Sequence, residues 1–145
     1  MWRILAFLIL AIPGWTAARE APEQIPGAMT VNVFQAKQLY DMGAIFVDVR
    51  PVREWGWGHV YGAVHLGLSV GFQGLAHPEW PRQVPLVIYC DSEICPSSAR
   101  AVELAVDWGY QHVFYFRGGY FAWQLADFPQ GKGEAGELAT LTASR

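Results

Sequence analysis

Pro85-Leu86-Val87-Ile88-Tyr89-Cys90-Asp91-Ser92-Glu93-Ile94-Cys95-Pro96-Ser97-Ser98-Ala99-Arg100 decides how the chain is read. Leu86 to Tyr89 is a short run of apolar, β-branched and aromatic residues bounded by Pro85, the pattern of a buried strand. A thiol follows at Cys90, then a small polar loop. A helix starts near Ser97 or Ser98, whose hydroxyls suit its N-cap. This order places Cys90 at the carboxyl end of a strand, facing helix amides. Ligands of open α/β sheets bind there, and amide groups there stabilise anions, a thiolate included.

The flanking sequence repeats the alternation. Asn32 is a suitable N-cap, and Val33, Ala36, Leu39 and Tyr40 recur at helical spacing up to Gly43. Ala44 to Val49 reads as a second buried strand, closed by Asp48, Arg50 and the turn-forming Pro51. In Arg50 to Leu66, Gly56, Gly58 and Gly62 mark a tightly turned connection, with a short strand at Ala63 to Leu66. Thr30-Val31 is a further short strand and Gly71 to Trp80 a short helix and loop. Beyond Arg100, the stripe Ala101, Leu104, Ala105, Trp108 ends at Gly109. Val113 to Phe116 is a strand, Gly118-Gly119 a turn, and Tyr120 to Leu125 a short helix. Strands alternating with helices imply an α/β fold with a parallel sheet covered on both faces.

Residues 1–18 read as a signal peptide. Arg3 is the positive start, Ile4 to Ile12 is too short to span a membrane, Pro13-Gly14 breaks the run, and Thr16-Ala17-Ala18 offers small residues for cleavage. The expected location is periplasmic or otherwise exported; the alternative is an uncleaved anchor that holds the domain outside. Residues 19–29 form an extended lead-in, 30–127 the domain, and 128–145 a loose tail rich in Gly, Glu, Ala and Thr. A net charge of −3 with 16% charged residues argues against nucleic acid as a partner. Two cysteines are too few for a disulfide scaffold, but near neighbours in an oxidising compartment can pair.

Asp48-Val49-Arg50, Glu54-Trp55 and Gly58-His59-Val60-Tyr61-Gly62-Ala63-Val64-His65-Leu66 resemble the first signature of rhodanese domains. Leu86 to Cys90, Gly109-Tyr110, Val113, Gly118-Gly119 and Ala122-Trp123 resemble the second half. The resemblance covers roughly Thr30 to Trp123. It implies a central five-stranded parallel sheet with helices on both faces, and sulfur transfer through a persulfide on Cys90. It implies a small anionic sulfur donor, a thiol acceptor and no cofactor. The chain departs from the family in the active-site loop, which usually reads Cys-x-x-Gly-x-Arg-Ser. With Ser98 matched to that Ser, Cys90 lies about two residues too far back, Ser97 replaces the Arg, and Cys95 stands near the Gly. A second Cys in the loop resembles the exported CxxCW branch, although here the spacing is Cys-x4-Cys and Pro96 replaces the Trp.

The candidate site is therefore Cys90 and Cys95 as reactive thiols, with Ser92, Ser97, Ser98 and Arg100 lining an anion pocket. Asp48, Arg50, Glu54 and His59 give structural support, and no metal is assigned. Each has a plainer reading. Cys90 could be a core thiol, Cys95 half of a structural bridge, and the serines simple caps. Three functions stay open: an exported sulfurtransferase, a thiol–disulfide module using both cysteines, and a binding module that has lost catalysis. A phosphatase of the Cys-x5-Arg kind is disfavoured, because Cys90 lies too far from Arg100.

Overall fold

The computed structural model describes residues 20–133. The expected signal peptide at 1–18 lies outside the described residues, as does the tail from 134 on. In chain order the elements are β1 (Met29–Thr30), α1 (Val33–Asp41), β2 (Ile45–Asp48), α2 (Val52–Trp57), β3 (His59–Val60) and β4 (Val64–His65). A 3-10 helix (Phe72–Ala76) follows, then β5 (Leu86–Tyr89), α3 (Pro96–Asp107), β6 (Val113–Phe116), α4 (Gly119–Leu125) and β7 (Gln130–Gly131).

Five strands form one sheet in the order β1-β6-β5-β2-β4, every neighbouring pair parallel. β5 lies at its centre, with Leu86 opposite Ile45 on one side and Val113 on the other. Because successive side chains point to opposite faces, each central strand feeds two cores. Val47, Leu86, Ile88, Val113 and Tyr115 pack with Ala101, Val102 and Ala105 of α3 and with Phe72 and Leu75. Phe46, Val87, Tyr89 and Phe116 pack on the other face with Ala36 of α1, Trp55 of α2, and Tyr120 and Trp123 of α4. Both faces are covered, as expected of a parallel sheet. Each fully buried Val or Ile contributes roughly 1.5–3 kcal/mol relative to exposure, so strands of four residues suffice.

Local chemistry explains the helix ends. Asn32 accepts hydrogen bonds from the Phe34 and Gln35 amides, and the Gln35 side chain returns one to the Asn32 amide, a capping box. Gly43, at φ +87°, turns the chain out of α1. Two stretches differ from the sequence reading. Arg50 to Gly58 holds a six-residue helix, α2, in place of a purely turned connection. The residues after Phe128 are not a loose tail as far as they are described. Phe128 packs on Trp123, with ring centroids 5.1 Å apart, the Trp123 indole N–H donates to the Pro129 carbonyl at 2.8 Å, and β7 pairs antiparallel with β3. A small strand pair needs only backbone groups, which the polar composition of that segment hid.

Candidate active site

Cys90 directly follows the central strand β5 and is 3% exposed. A disulfide joins it to Cys95, with Cα atoms 6.2 Å apart, inside the usual range for such bridges. Cys95 is half-buried and stands at the N-cap of α3 in extended backbone, with no side-chain cap bond. The helix therefore starts earlier than the serines suggested. Pro96 occupies its first position, where a missing N–H costs nothing and a fixed φ is already helical. Ser98 does not cap; it lies within the first turn, buried, and its Oγ has no hydrogen-bond partner.

The loop between the cysteines is held by its carbonyls. The Tyr120 and Phe121 amides at the start of α4 donate to the Cys90 and Asp91 carbonyls, both at 2.9 Å. The Ala21 amide donates to the Glu93 carbonyl at 2.8 Å, and the Cys95 amide closes a turn on the Ser92 carbonyl at 3.0 Å. In a trans peptide the C=O and the following N–H point in opposite directions. With the Cys90 and Asp91 carbonyls on α4, the Asp91 and Ser92 amides face away from it. None of the hydrogen bonds among the described residues uses an amide from Asp91 to Ile94 as donor. Such a set of free amides, with the α3 N-terminus adjoining, favours negative charge on a sulfur held beside it.

Gly119 is what allows α4 so close. It sits at φ +64°, and a Cβ there would lie 2.5 Å from the Cys90 oxygen and 2.7 Å from the Asp91 carbonyl carbon and oxygen. The obstacle is backbone, so the loop itself has to move. Gly119→Ala is expected to cost about 3 kcal/mol, from the left-handed conformation and the overpacking together, and to lower reactivity at Cys90. A urea midpoint equal to wild type would refute that reading of Gly119.

Beneath the loop, Asp48 is fully buried and Arg50 is 3% exposed. The Arg50 amide, Nε and Nη2 donate to the Asp48 carboxylate, Nη2 also to the Gly58 carbonyl at 2.7 Å, and Nη1 to Asp91 Oδ1 at 3.2 Å. The guanidinium lies 4.6 Å from the centre of the Tyr120 ring. Burial alone would lower the Arg50 pKa. The hydrogen bonds and charge of Asp48 outweigh it, so the pKa rises and the cation is fixed. His59 donates from Nδ1 to the Trp55 carbonyl at 3.0 Å and stacks on its ring at 3.5 Å. Glu54 does not pin the loop. It lines a groove with Asp91, and its carboxyl pKa is raised, first by burial and next by the Asp91 charge, against a smaller lowering by Arg50.

The four residues expected to form one anion pocket are not brought together. Ser92 lines the groove beside Asp91, whereas Ser97 faces a separate cavity with His65 and Gly67 to Val70. Ser98 is buried within the first turn of α3. Arg100 is exposed on α3 and pairs with Glu103 at 3.3 Å, so it does not point inward as expected. The residues that shape the loop instead are Asp91, Gly119 and the α4 amides. The glycine pair Gly118-Gly119 was visible in the sequence, but nothing there gave its partner. Among the described residues, no three His, Cys, Asp or Glu side chains converge on a metal site.

A model of the rhodanese-like domain matches residues 32–126. Thiosulfate sulfurtransferase GlpE of Haemophilus influenzae is 31% identical over 97 residues, covering 66% of this chain and 87% of the relative. Rhodanese-like domain-containing protein 17 of Arabidopsis thaliana is 30% identical over 139 residues, covering 87% of this chain and 85% of the relative. Among solved structures, the solution structure of a rhodanese-like domain from Anabaena superposes with a TM-score of 0.62 at 20% identity, covering 71% of this chain and 78% of that one.

Proposed function

The chain belongs to the rhodanese-like domain family, and from that premise we propose that it is an exported sulfurtransferase that carries sulfane sulfur as a persulfide on Cys90. The observation that supports this most is the placement of Cys90: at the end of the central strand, with its carbonyl tied to α4 and free loop amides beside it. An ordinary thiol is only a few per cent ionised at neutral pH, so such amides matter. The Cys90 thiolate attacks the outer sulfur of a sulfane donor. One S–S bond forms, the donor's breaks, and the leaving group takes the electron pair; for thiosulfate it leaves as sulfite. An acceptor thiolate then attacks the outer sulfur of the persulfide and regenerates the Cys90 thiolate. The amides hold the charge on sulfur as an oxyanion hole holds it on oxygen.

The Cys90–Cys95 bridge is the resting, closed form of this site. It closes so small a ring that the chain-entropy estimate gives it only about 2 kcal/mol. A dithiol reductant opens it with two electrons. Thiosulfate-to-cyanide transfer is therefore expected near background in protein isolated in air, and to rise after mild dithiol treatment. Equal rates before and after treatment would reject the bridge as a gate. The bridge also favours a second reading, in which the pair cycles as dithiol and disulfide without carrying sulfur. Mass spectrometry separates the two: reduced protein given thiosulfate gains one sulfur on the first reading and none on the second.

Export rests on Arg3, the run Ile4 to Ile12 and Ala17-Ala18. The exported form is expected to begin near Arg19. Terminal sequencing that still finds Met1 would reject cleavage in favour of an anchor.

A further inference from the structure

A groove of about 550 Å³ runs beside the loop, lined by Arg50, Glu54 and Trp57 on one side, by Asp91 to Ile94, and by Tyr120, Phe121 and Gln124 on the other. Two properties set it apart. Three large apolar side chains stand exposed around it: Trp57 at 67%, Ile94 at 68% and Phe121 at 56%. Its charged lining is Glu54, Asp91 and Glu93 against the single guanidinium of Arg50, which pairs with Asp48 beneath and with Asp91 at 3.2 Å, so that Glu54 and Glu93 are left without an ion pair among the described residues. The nearby cations do not offset this. Arg53 is not part of the lining and lies over the Trp57 ring at 5.6 Å. Arg117 is turned to Glu20 and the Ala21 carbonyl.

We propose that this groove docks a basic segment of a partner protein that presents a cysteine thiol next to Arg or Lys. Resting on the sulfur-carrier reading above, it names the class of thiol that exchanges with the loop. Charge complementarity selects the occupant. Small anions meet the unpaired carboxylates of Glu54 and Glu93 and no free cation in the lining. A second copy of this chain carries a net charge of −3 and is repelled by the same field. An arginine side chain pairs with the carboxylates and stacks on the exposed Phe121 ring, or on Trp57 in place of Arg53. Exposed aromatics are the residues that anchor protein partners.

The unequal exposure of the two cysteines sets the direction of exchange. Cys95 is half-buried and follows the exposed Ile94, whereas Cys90 is 3% exposed. The incoming thiolate attacks the Cys95 sulfur. A mixed disulfide with Cys95 forms, the Cys90–Cys95 bond breaks, and Cys90 departs with the electron pair as the thiolate that the loop amides favour. A second thiol on the partner then releases Cys95.

The test uses three short peptides, each with one Cys flanked by two Arg, two Gln or two Glu. The rate at which each opens the bridge in the full chain is divided by its rate with hydroxyethyl disulfide, which removes differences in thiol acidity. At low ionic strength the normalised rates should rank Arg above Gln above Glu, with the extremes about tenfold apart or more, and should converge in high salt. Glu93→Gln and Glu54→Gln should narrow the ratio, and Trp57→Ala should slow the Arg peptide. Trp57 and Glu93 are exposed, so these two variants keep the test independent of folding. Equal normalised rates, or a ranking that persists in high salt or in the neutralised variants, would overturn the proposal. The rates read bridge opening and not sulfur transfer, so docking can fail while persulfide chemistry stands, and the reverse.

Discussion

Cys90→Ser should abolish persulfide formation and thiosulfate-to-cyanide transfer together, down to the uncatalysed background. Cys95→Ser should retain both, and should no longer need reduction. The asymmetry follows from position. Cys90 is buried at the end of β5, with the Tyr120 amide on its carbonyl and the free amides of the loop beside it. Cys95 stands at the helix cap, half open to solvent. A serine at position 90 keeps the size and the hydrogen bonds but is too weak a nucleophile at neutral pH, and an Oγ cannot carry a sulfane sulfur. A serine at 95 removes only the bridge and leaves Cys90 permanently free. The measurements are intact mass after thiosulfate and cyanide-dependent turnover, each with and without a dithiol. If Cys95→Ser alone loses both activities, the assignment of the carrier thiol is wrong.

Arg50→Met should cost about 3–5 kcal/mol, the range for breaking a buried ion pair. Asp48 has no exposed surface and receives four hydrogen bonds from Arg50. Three of these come from the side chain and would be lost, leaving a charge in the core without its counterion. Arg50→Lys should recover only part of that, because a single ammonium cannot reach Asp48, the Gly58 carbonyl and Asp91 from one position. Combining Arg50→Met with Asp48→Asn should cost less than the two single changes added together, since the second change removes the orphaned charge. Urea unfolding of the three variants checks this, and strict additivity would show that the pair is not coupled. Because Arg50 also bonds Asp91, the variant should loosen the loop as well as the core.

Strong local patterns survived the passage from sequence to structure. The runs Ala44 to Val49, Leu86 to Tyr89 and Val113 to Phe116 each became a central strand, because two-sided burial asks for continuous apolar residues. Asn32 capped its helix, and the matched family fixed the sheet. What stayed hidden depended on partners distant in sequence. α2 was masked by Gly56 and Gly58, which read as turn residues, although Trp55 just before them is buried in the core. The cap serines were displaced by Pro96, whose preference for the first helical position the hydroxyl pattern outshone. β7 exists because Gly131 leaves room for the His59 ring; a Cβ there would lie 2.7 Å from Nε2. The expected anion pocket assumed that neighbours in sequence share a cavity. Ser92 and Ser97 face different ones, and Arg100 turns to Glu103.

The strap at the amino end has a mechanical consequence. Glu20 pairs with Arg117, and Ala21 gives its amide to Glu93 and its carbonyl to Arg117, all before the chain reaches β1 at Met29. Tension entering from the N-terminal side thus meets the sulfur loop before any strand of the sheet. A pull there is resisted first by three hydrogen bonds and one exposed ion pair, and it acts on the backbone between the two cysteines. In this molecule the leading end and the reactive loop are a single mechanical unit, so whatever holds the one also strains the other.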